Sequence, residues 1–265
     1  MSLLAVAVAG RGLVDPAAPV FAADDESLLR GAAAFETLPV YGGRPFLLDR
    51  HVERLTYSAR ALGLPPVDGC DTLAEQVATI APECVLRLYR TDRVLVATAA
   101  PLPEGLDELR RTGVTVHTVE VGDPADLLAG VKSTSYAFAF AARREATRLG
   151  ADDVVFTGAG LVLEGATANV WWRRGDTLYT PSAGAGVLPG VTREAVWELA
   201  AGLGLEPREG RFPAGELIGA EEAFETSSIR EVVPVVGVDG SPVGDGRPGR
   251  AAPLLQDALR LRSGR

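Results

Sequence analysis

Lysine is almost absent from this 265-residue chain: of 26 basic residues, Lys132 is the one lysine and the rest are arginine. Histidine is nearly as scarce. His51 and His117, with Cys70 and Cys84, are too few and too scattered to show metal-ligand spacing, which argues against a zinc site and a disulfide framework. Positive charge is in deficit as well, since 35 acidic residues against 26 basic ones leave a net charge of −9. A chain of that charge is repelled by phosphate backbones and anionic lipid, so neither nucleic acid nor a membrane is an expected partner. No apolar run approaches the roughly 20 residues of a membrane span. The N-terminal apolar stretch has no basic residue ahead of it and soon meets Arg11, unlike a secretory signal, so a cytoplasmic location is expected. What is present is ordinary for a globular protein: 47% hydrophobic and 23% charged residues, in a length that buries one large core or two modest ones. Small molecules are the expected partners.

The lysine count bears on chemistry. Arginine can replace lysine as a solvated surface cation, but it cannot form an imine with an aldehyde, because that reaction needs a primary amine. Lys132 is therefore either the last lysine left by chance or a reactive amine, and composition alone does not choose between them.

Along the chain, AVAVAG reads as a strand and FETLPVYGGRPFLL as a hairpin around a Gly-Gly turn, spanning about residues 35 to 48. Val52, Leu55, Ala59 and Leu62 recur at helical spacing until Gly63 and Pro65 end the run. DTLAEQVATIAP predicts a short helix, and CVLRLYR and RVLVATAA predict two paired strands turning at Thr91 and Asp92. The polar, proline-bearing stretch at about 101–113 is the candidate linker between an N-terminal domain, 1–100, and a C-terminal domain, 114–265. The second block alternates again: strand VTVHTVEV, helix AFAFAARREATRLG, strand DVVFTG, the hairpin-like LVLEGATANVWWRRGDTLYTP, helix VTREAVWELAAGLG, a strand pair in EEAFETSSIREVVPVVGVDG and a closing helix. Strands and helices in two unequal blocks imply an α+β protein with a cleft between domains.

Several residues could carry chemistry. Lys132 precedes a predicted helix, where its amine could meet a cofactor or substrate; Tyr136, four residues on, could hydrogen-bond the same group or simply pack the helix start. Glu164 lies between an apolar strand and a small-residue turn, where it could pair with a protonated ring nitrogen or face solvent. Asn169 is less telling. Pro189 and Gly190 precede a helix whose first N–H groups, at Val191 and Thr192, form either an anion site or an ordinary helix start. Ser227 and Ser228, with the Ile229 amide, offer a second donor cluster, and Arg54 a cation. Arg87 and Arg90 lie on one strand three residues apart, hence on opposite faces, and Arg30 is an isolated cation among small residues. Bidentate guanidinium pairing would orient a substrate carboxylate; salt bridges to the many acids are the alternative.

Taken together, RGAAAFETLPVYGGRPFLLDRHVERLTYSARALGLP, GVKSTSYAFAFAARREATRLGADDVVF, VLEGATANVWWRRGDTLYTP, GVLPGVTREAVWELA and TSSIREVVPV resemble the class IV aminotransferases in order and spacing. The resemblance covers nearly the whole chain. It implies the fold of type IV pyridoxal-phosphate enzymes: a small N-terminal α/β domain, a larger C-terminal pseudo-barrel domain, the cofactor between them, and a homodimer. It also implies that Lys132 holds pyridoxal 5'-phosphate as an internal aldimine and then moves the substrate proton. Glu164 resembles the partner of the pyridine nitrogen; Arg54, Val191, Thr192 and Ser228, with Ser227 beside them, match the phosphate cup.

Within the family, the resemblance favours a transaminase acting on a D-amino acid and a 2-oxo acid. Arg90 falls where D-amino-acid aminotransferases carry a carboxylate-binding arginine, but the nearby histidine of the best-known members is missing. Arg30, donated by a partner subunit, is the candidate that completes the trap. A 4-amino-4-deoxychorismate lyase, releasing pyruvate to give 4-aminobenzoate, is the first alternative, and the glycine- and arginine-rich segment of many lyases is absent. A branched-chain L-amino-acid aminotransferase is the second; its tyrosine two residues before the strand arginine is replaced by Val85 ahead of Arg87.

Overall fold

The computed structural model describes residues 2–122 and 128–265 and divides the chain into two compact units: 1–104 with 131–136, and 105–130 with 137–265. The first unit holds β1 (Ala5–Val8), β2 (Gly12–Val14), α1 (Glu26–Arg30), β3 (Ala34–Tyr41), β4 (Arg44–Pro45), α2 (Leu48–Ala61), α3 (Cys70–Ile80), β5 (Cys84–Arg90) and β6 (Leu95–Ala100). Its strands form one antiparallel sheet in the order β2-β1-β6-β5-β3-β4. The Gly-Gly turn joining β3 to β4 places Gly42 at φ +55° and Gly43 at φ +75°, the pair of left-handed residues that a two-residue hairpin turn requires.

Alternation along β3 and β5 sorts side chains onto two faces. Leu38, Leu86 and Leu88 are fully buried in one core with Leu55 and Ala59 of α2 and Leu73, Ala74 and Val77 of α3. That stripe of α2, at i and i+4, is what the helical spacing predicts. Phe35, Thr37, Arg87 and Tyr89 occupy the opposite face, with Phe35 opposite Tyr89 and Thr37 opposite Arg87 in register.

The second unit contains α4 (Leu106–Thr112), β7 (Val114–Val121), α5 (Ala137–Arg148), β8 (Asp153–Gly158), β9 (Leu161–Gly165), β10 (Asn169–Arg174), β11 (Thr177–Pro181), α6 (Val191–Ala200), β12 (Glu206–Gly210), α7 (Gly215–Ile218), β13 (Glu222–Ser227), β14 (Glu231–Val238), β15 (Ser241–Pro242) and α8 (Ala251–Arg262). Residues 101–113, expected as a linker, thus include a short helix that belongs to this unit. Its strands run β12-β11-β10-β13-β14-β7-β8-β9, and β9 returns to β10 through the Asn169–Glu164 pair. Six strands therefore close into a barrel with a mixed parallel and antiparallel ladder. Val114, Val116, Val155, Val170, Trp172, Val233 and Val235 belong to its buried core. No helix among the described residues is long and apolar enough to cross a membrane.

Candidate active site

In the first unit, residues 131–136 run beside the start of β3. The Phe35 amide donates to the Lys132 carbonyl at 3.1 Å, and the Thr134 amide donates to the Ala33 carbonyl at 2.9 Å. The Lys132 amide donates in turn to Ser58 Oγ on α2 at 3.0 Å. The segment is thus held at three points, two of them on the lysine backbone, and the half-buried Lys132 side chain projects over Phe35, with Nζ 4.6 Å from the ring centroid. Tyr136 Oη lies 3.4 Å from the same nitrogen, and its ring packs edge-on against Phe35. Phe35 stacks in turn on Tyr89.

Arg54 lies one helical turn before Ser58 on α2. Its guanidinium is gripped by Glu36, Nε to Oε1 and Nη2 to Oε2, both at 2.7 Å, and His51 Nδ1 lies 2.7 Å from Glu36 Oε2. All three side chains are buried. Burial alone would raise the Glu36 carboxyl, but the Arg54 charge and the hydrogen bonds from Arg54 and His51 outweigh it and hold it at about 2. Burial pushes the His51 ring below its ordinary value, the Glu36 contact only partly opposing, and the Arg54 and Lys132 charges push it the same way. His51 is therefore neutral at pH 7, with Nδ1–H directed at the carboxylate. Glu36 and His51 were not singled out in the sequence, because a glutamate inside an alternating strand reads as solvent-facing.

The three substrate-side arginines are placed differently. Arg87 is half-buried on the Phe35 face and makes no hydrogen bond or ion pair among the described residues. Arg90 is on the helix-covered face and donates through Nε to the Pro65 carbonyl at 3.0 Å. Arg30 is exposed and pairs with Glu26 at 2.5 Å along α1.

In the second unit, Glu164 closes the barrel opposite Asn169. Its Oε2 accepts the Leu188 amide at 3.0 Å and Asn169 Nδ2 at 3.3 Å, while the same Asn169 nitrogen donates to the Leu188 carbonyl at 2.8 Å. The Asn169 amide also explains a glycine: a Cβ at Gly190 would sit 1.9 Å from Asn169 Oδ1. Asn169, read as uninformative in the sequence, is the piece that joins Glu164 to the start of α6. Gly190 caps that helix, leaving the N–H groups of buried Val191 and Thr192 at its positive end.

Ser227 and Ser228 lie half-buried at the β13–β14 turn, and β13 packs against α6. Arg110 from α4 pins that turn, donating Nε to the Arg230 carbonyl at 3.0 Å and Nη2 to the Ile229 carbonyl at 3.1 Å. Within the second unit, then, a held carboxylate, a helix start and a hydroxyl-bearing turn belong to adjoining elements. Those donor sets fit a cofactor with a basic ring nitrogen and a phosphate, and the absence of a side chain at Gly190 leaves room for the Asn169 amide that joins them. In the first unit, Lys132 carries the primary amine that an aldehyde-bearing cofactor requires.

The family profile described as amino-transferase class IV matches residues 33–238, and the chain belongs to that family. Among curated relatives, the bifunctional aminodeoxychorismate lyase / D-amino acid transaminase of Mycobacterium tuberculosis is 33% identical over 86% of this chain and 89% of its own. The aminodeoxychorismate lyase of Bacillus subtilis is 31% identical over 88% and 86%. A hypothetical aminotransferase from Mycobacterium tuberculosis superposes in its PLP-bound form with a TM-score of 0.88, at 30% identity over 98% of this chain and 100% of that one. Its alpha-ketoglutarate and PMP bound form superposes at 0.90, with 29% identity over the same shares. The chain is thus a fold type IV enzyme that depends on pyridoxal 5'-phosphate.

Proposed function

We propose that the enzyme is an aminotransferase moving an amino group between a D-amino acid and a 2-oxo acid. The observation that carries this reading is Arg87, a half-buried guanidinium without a protein partner among the described residues, on the sheet face that carries Phe35 beneath the Lys132 amine. A cation so placed suits the carboxylate that both an amino acid and a 2-oxo acid present. The names of two relatives support it, one a D-amino acid transaminase by half its name and the other holding alpha-ketoglutarate.

Bound pyridoxal phosphate supplies an electron sink for the carbanion left when the substrate Cα loses its proton. Lys132 would hold the cofactor aldehyde through its amine and then carry the Cα proton on Nζ, with Tyr136 Oη orienting that nitrogen. Glu164, held in place by the Leu188 amide and Asn169 Nδ2, would keep the proton on the ring nitrogen. The Val191 and Thr192 amides, Ser227, Ser228 and Arg54 would bind the phosphate, with Glu36 fixing the plane of the Arg54 guanidinium. Arg90 and Arg30, each engaged elsewhere, support the sheet and α1 in this reading, and Arg87 takes the carboxylate.

Exposed Phe138 and Phe140 on α5 and Leu28 and Leu29 on α1 support a homodimer, to be read from the mass in solution. Buried, unpaired Cys70 and Cys84 support a reducing, cytoplasmic setting. The test of function is a single-turnover absorbance scan of the loaded enzyme with D-alanine, D-glutamate, L-leucine and L-glutamate. Conversion by the D-amino acids alone is expected. Conversion by the L-amino acids would replace the assignment with the branched-chain one, and no conversion, with pyruvate release from 4-amino-4-deoxychorismate, would replace it with the lyase.

A further inference from the structure

Beneath the Glu164 turn lies a carboxyl group with no task in the chemistry above. Glu225 sits on β13, opposite Val170 of β10 and Val233 of β14 in register. Those two valines, with Ala223 two residues earlier, belong to the buried barrel core, so Glu225 shares the inward-facing side of its strand. It is 2% exposed, and neither of its oxygens makes a hydrogen bond among the described residues. A charged carboxylate in such a place is costly.

The charged groups facing it come from three elements. Arg230, in the β13–β14 turn, brings Nη1 to 3.5 Å from Glu225 Oε2, but the same nitrogen is 2.5 Å from Asp153 Oδ2 on β8. Arg143 of α5 is also spent on Asp153, with Nε 3.1 Å from Oδ1. Asp153 therefore takes the better geometry of both cations. Burial drives the Glu225 carboxyl up to about 7, Arg230 opposing and the Asp153 charge adding to the rise. On its other side Glu225 abuts the backbone of the residue after Glu164: a methyl group at Gly165 would sit 2.8 Å from Oε1.

We propose that Glu225 is a positioning residue for the cofactor, its buried carboxyl bridging the turn that presents Glu164 and the turn that presents Ser227 and Ser228. The inference rests on the cofactor roles proposed above. Uncharged, Glu225 fills the space under Gly165 and leaves Arg230 to Asp153. Ionised, it competes with Asp153 for Arg230 and pulls on the hydroxyl-bearing turn that Arg230 ends. Binding of the phosphate-bearing cofactor is therefore linked to the proton on Glu225, taken up from solvent, and weakens as pH rises through neutrality.

The test is equilibrium dialysis of the full chain against pyridoxal phosphate from pH 6 to 9, for the wild type and Glu225→Gln. Titrations of the cofactor and of Lys132 are common to both proteins, so the ratio of their dissociation constants isolates Glu225. A shift of one pKa unit on binding corresponds to about a tenfold change in that ratio across the range. A flat ratio, including a uniform loss of affinity in the variant at every pH, overturns the proposal. If Glu225→Gln does not fold, the carboxylic-acid infrared band of the wild-type protein decides: its midpoint moves to higher pH on adding cofactor, and an unmoved midpoint overturns the inference. Binding with no linkage refutes Glu225 alone, whereas no binding at any pH refutes the cofactor roles with it.

Discussion

Replacing Glu36 by glutamine isolates the buried cluster that orients Arg54. The substitution keeps the shape of the side chain and removes the charge that Arg54 Nε and Nη2 each meet at 2.7 Å. Leaving a buried guanidinium without its counter-ion costs about 3–5 kcal/mol. The depression of the Glu36 carboxyl gives an independent measure, from its ordinary 4.5 to about 2. At 1.36 kcal/mol per unit this corresponds to about 3 kcal/mol at neutral pH. Because the folded value is the depressed one, this stability is present above pH 4.5 and is lost as pH falls towards 2. His51, whose value is also depressed, adds loss of stability as pH falls below 6.5, its unfolded value. All three tryptophans lie in the second unit, at positions 171, 172 and 197, so their fluorescence does not report on this cluster. The assay is hydrogen exchange of the α2 and β3 amides. Glu36→Gln is expected to lower their protection by about 3 kcal/mol at pH 7, and the gap to wild type should narrow by about 1 kcal/mol by pH 3.5. A loss below about 1 kcal/mol, or a gap independent of pH, would refute the account of how Arg54 is held.

Three further outcomes follow from the site. Lys132→Ala should remove the visible absorbance of bound cofactor and lower kcat by at least about 10²-fold, the span of acid–base catalysis by a positioned group; retained turnover would sink its assignment. Arg87→Ala should raise KM for the amino acid by about 10- to 100-fold, as expected for a lost charge-assisted bond of about 1.5–3 kcal/mol, while Arg90→Ala and Arg30→Ala change it little. The same steady-state kinetics showing Arg90 as the sensitive residue would return the carboxylate to the other face of the sheet. Gly190→Ala forces a Cβ to within 1.9 Å of Asn169 Oδ1 and should weaken cofactor affinity, measured by dialysis, by at least about tenfold; an unchanged affinity would separate the helix start from phosphate binding.

Local pattern in the chain carries the elements that repeat a period. The α2 stripe and the partial alternation of β3 and β5 are visible because one face of each must be apolar, while β10 and β14 show as apolar runs because they are buried on both faces. Lys132 was legible for a compositional reason, being the one lysine in an arginine-rich chain. The opposite-face placement of Arg87 and Arg90 followed from their spacing, but which face the helices cover is set by packing, so their roles were not readable. Residues 101–113 hid α4 because no residue of that helix is fully buried, leaving no apolar stripe. Asn169, Glu36 and Glu225 were missed for a shared reason. Each depends on a partner 15 to 72 positions away in sequence, namely His51 for Glu36, Leu188 for Asn169 (beside its neighbour Glu164) and Asp153 for Glu225, and no local window contains that contact.

The pair that shuts the barrel, Asn169 opposite Glu164, is also the pair that holds the carboxylate proposed above to meet the ring nitrogen. Opening that seam would expose two strand edges and release the Glu164 carboxylate in a single event, so this end of the molecule has little freedom to drift. Arg87, on the Phe35 face of the first sheet, closes no such seam. With Arg87 taking the substrate carboxylate as proposed, divergence in substrate choice is channelled to β3 and β5, where side chains can be exchanged while the seam stays intact.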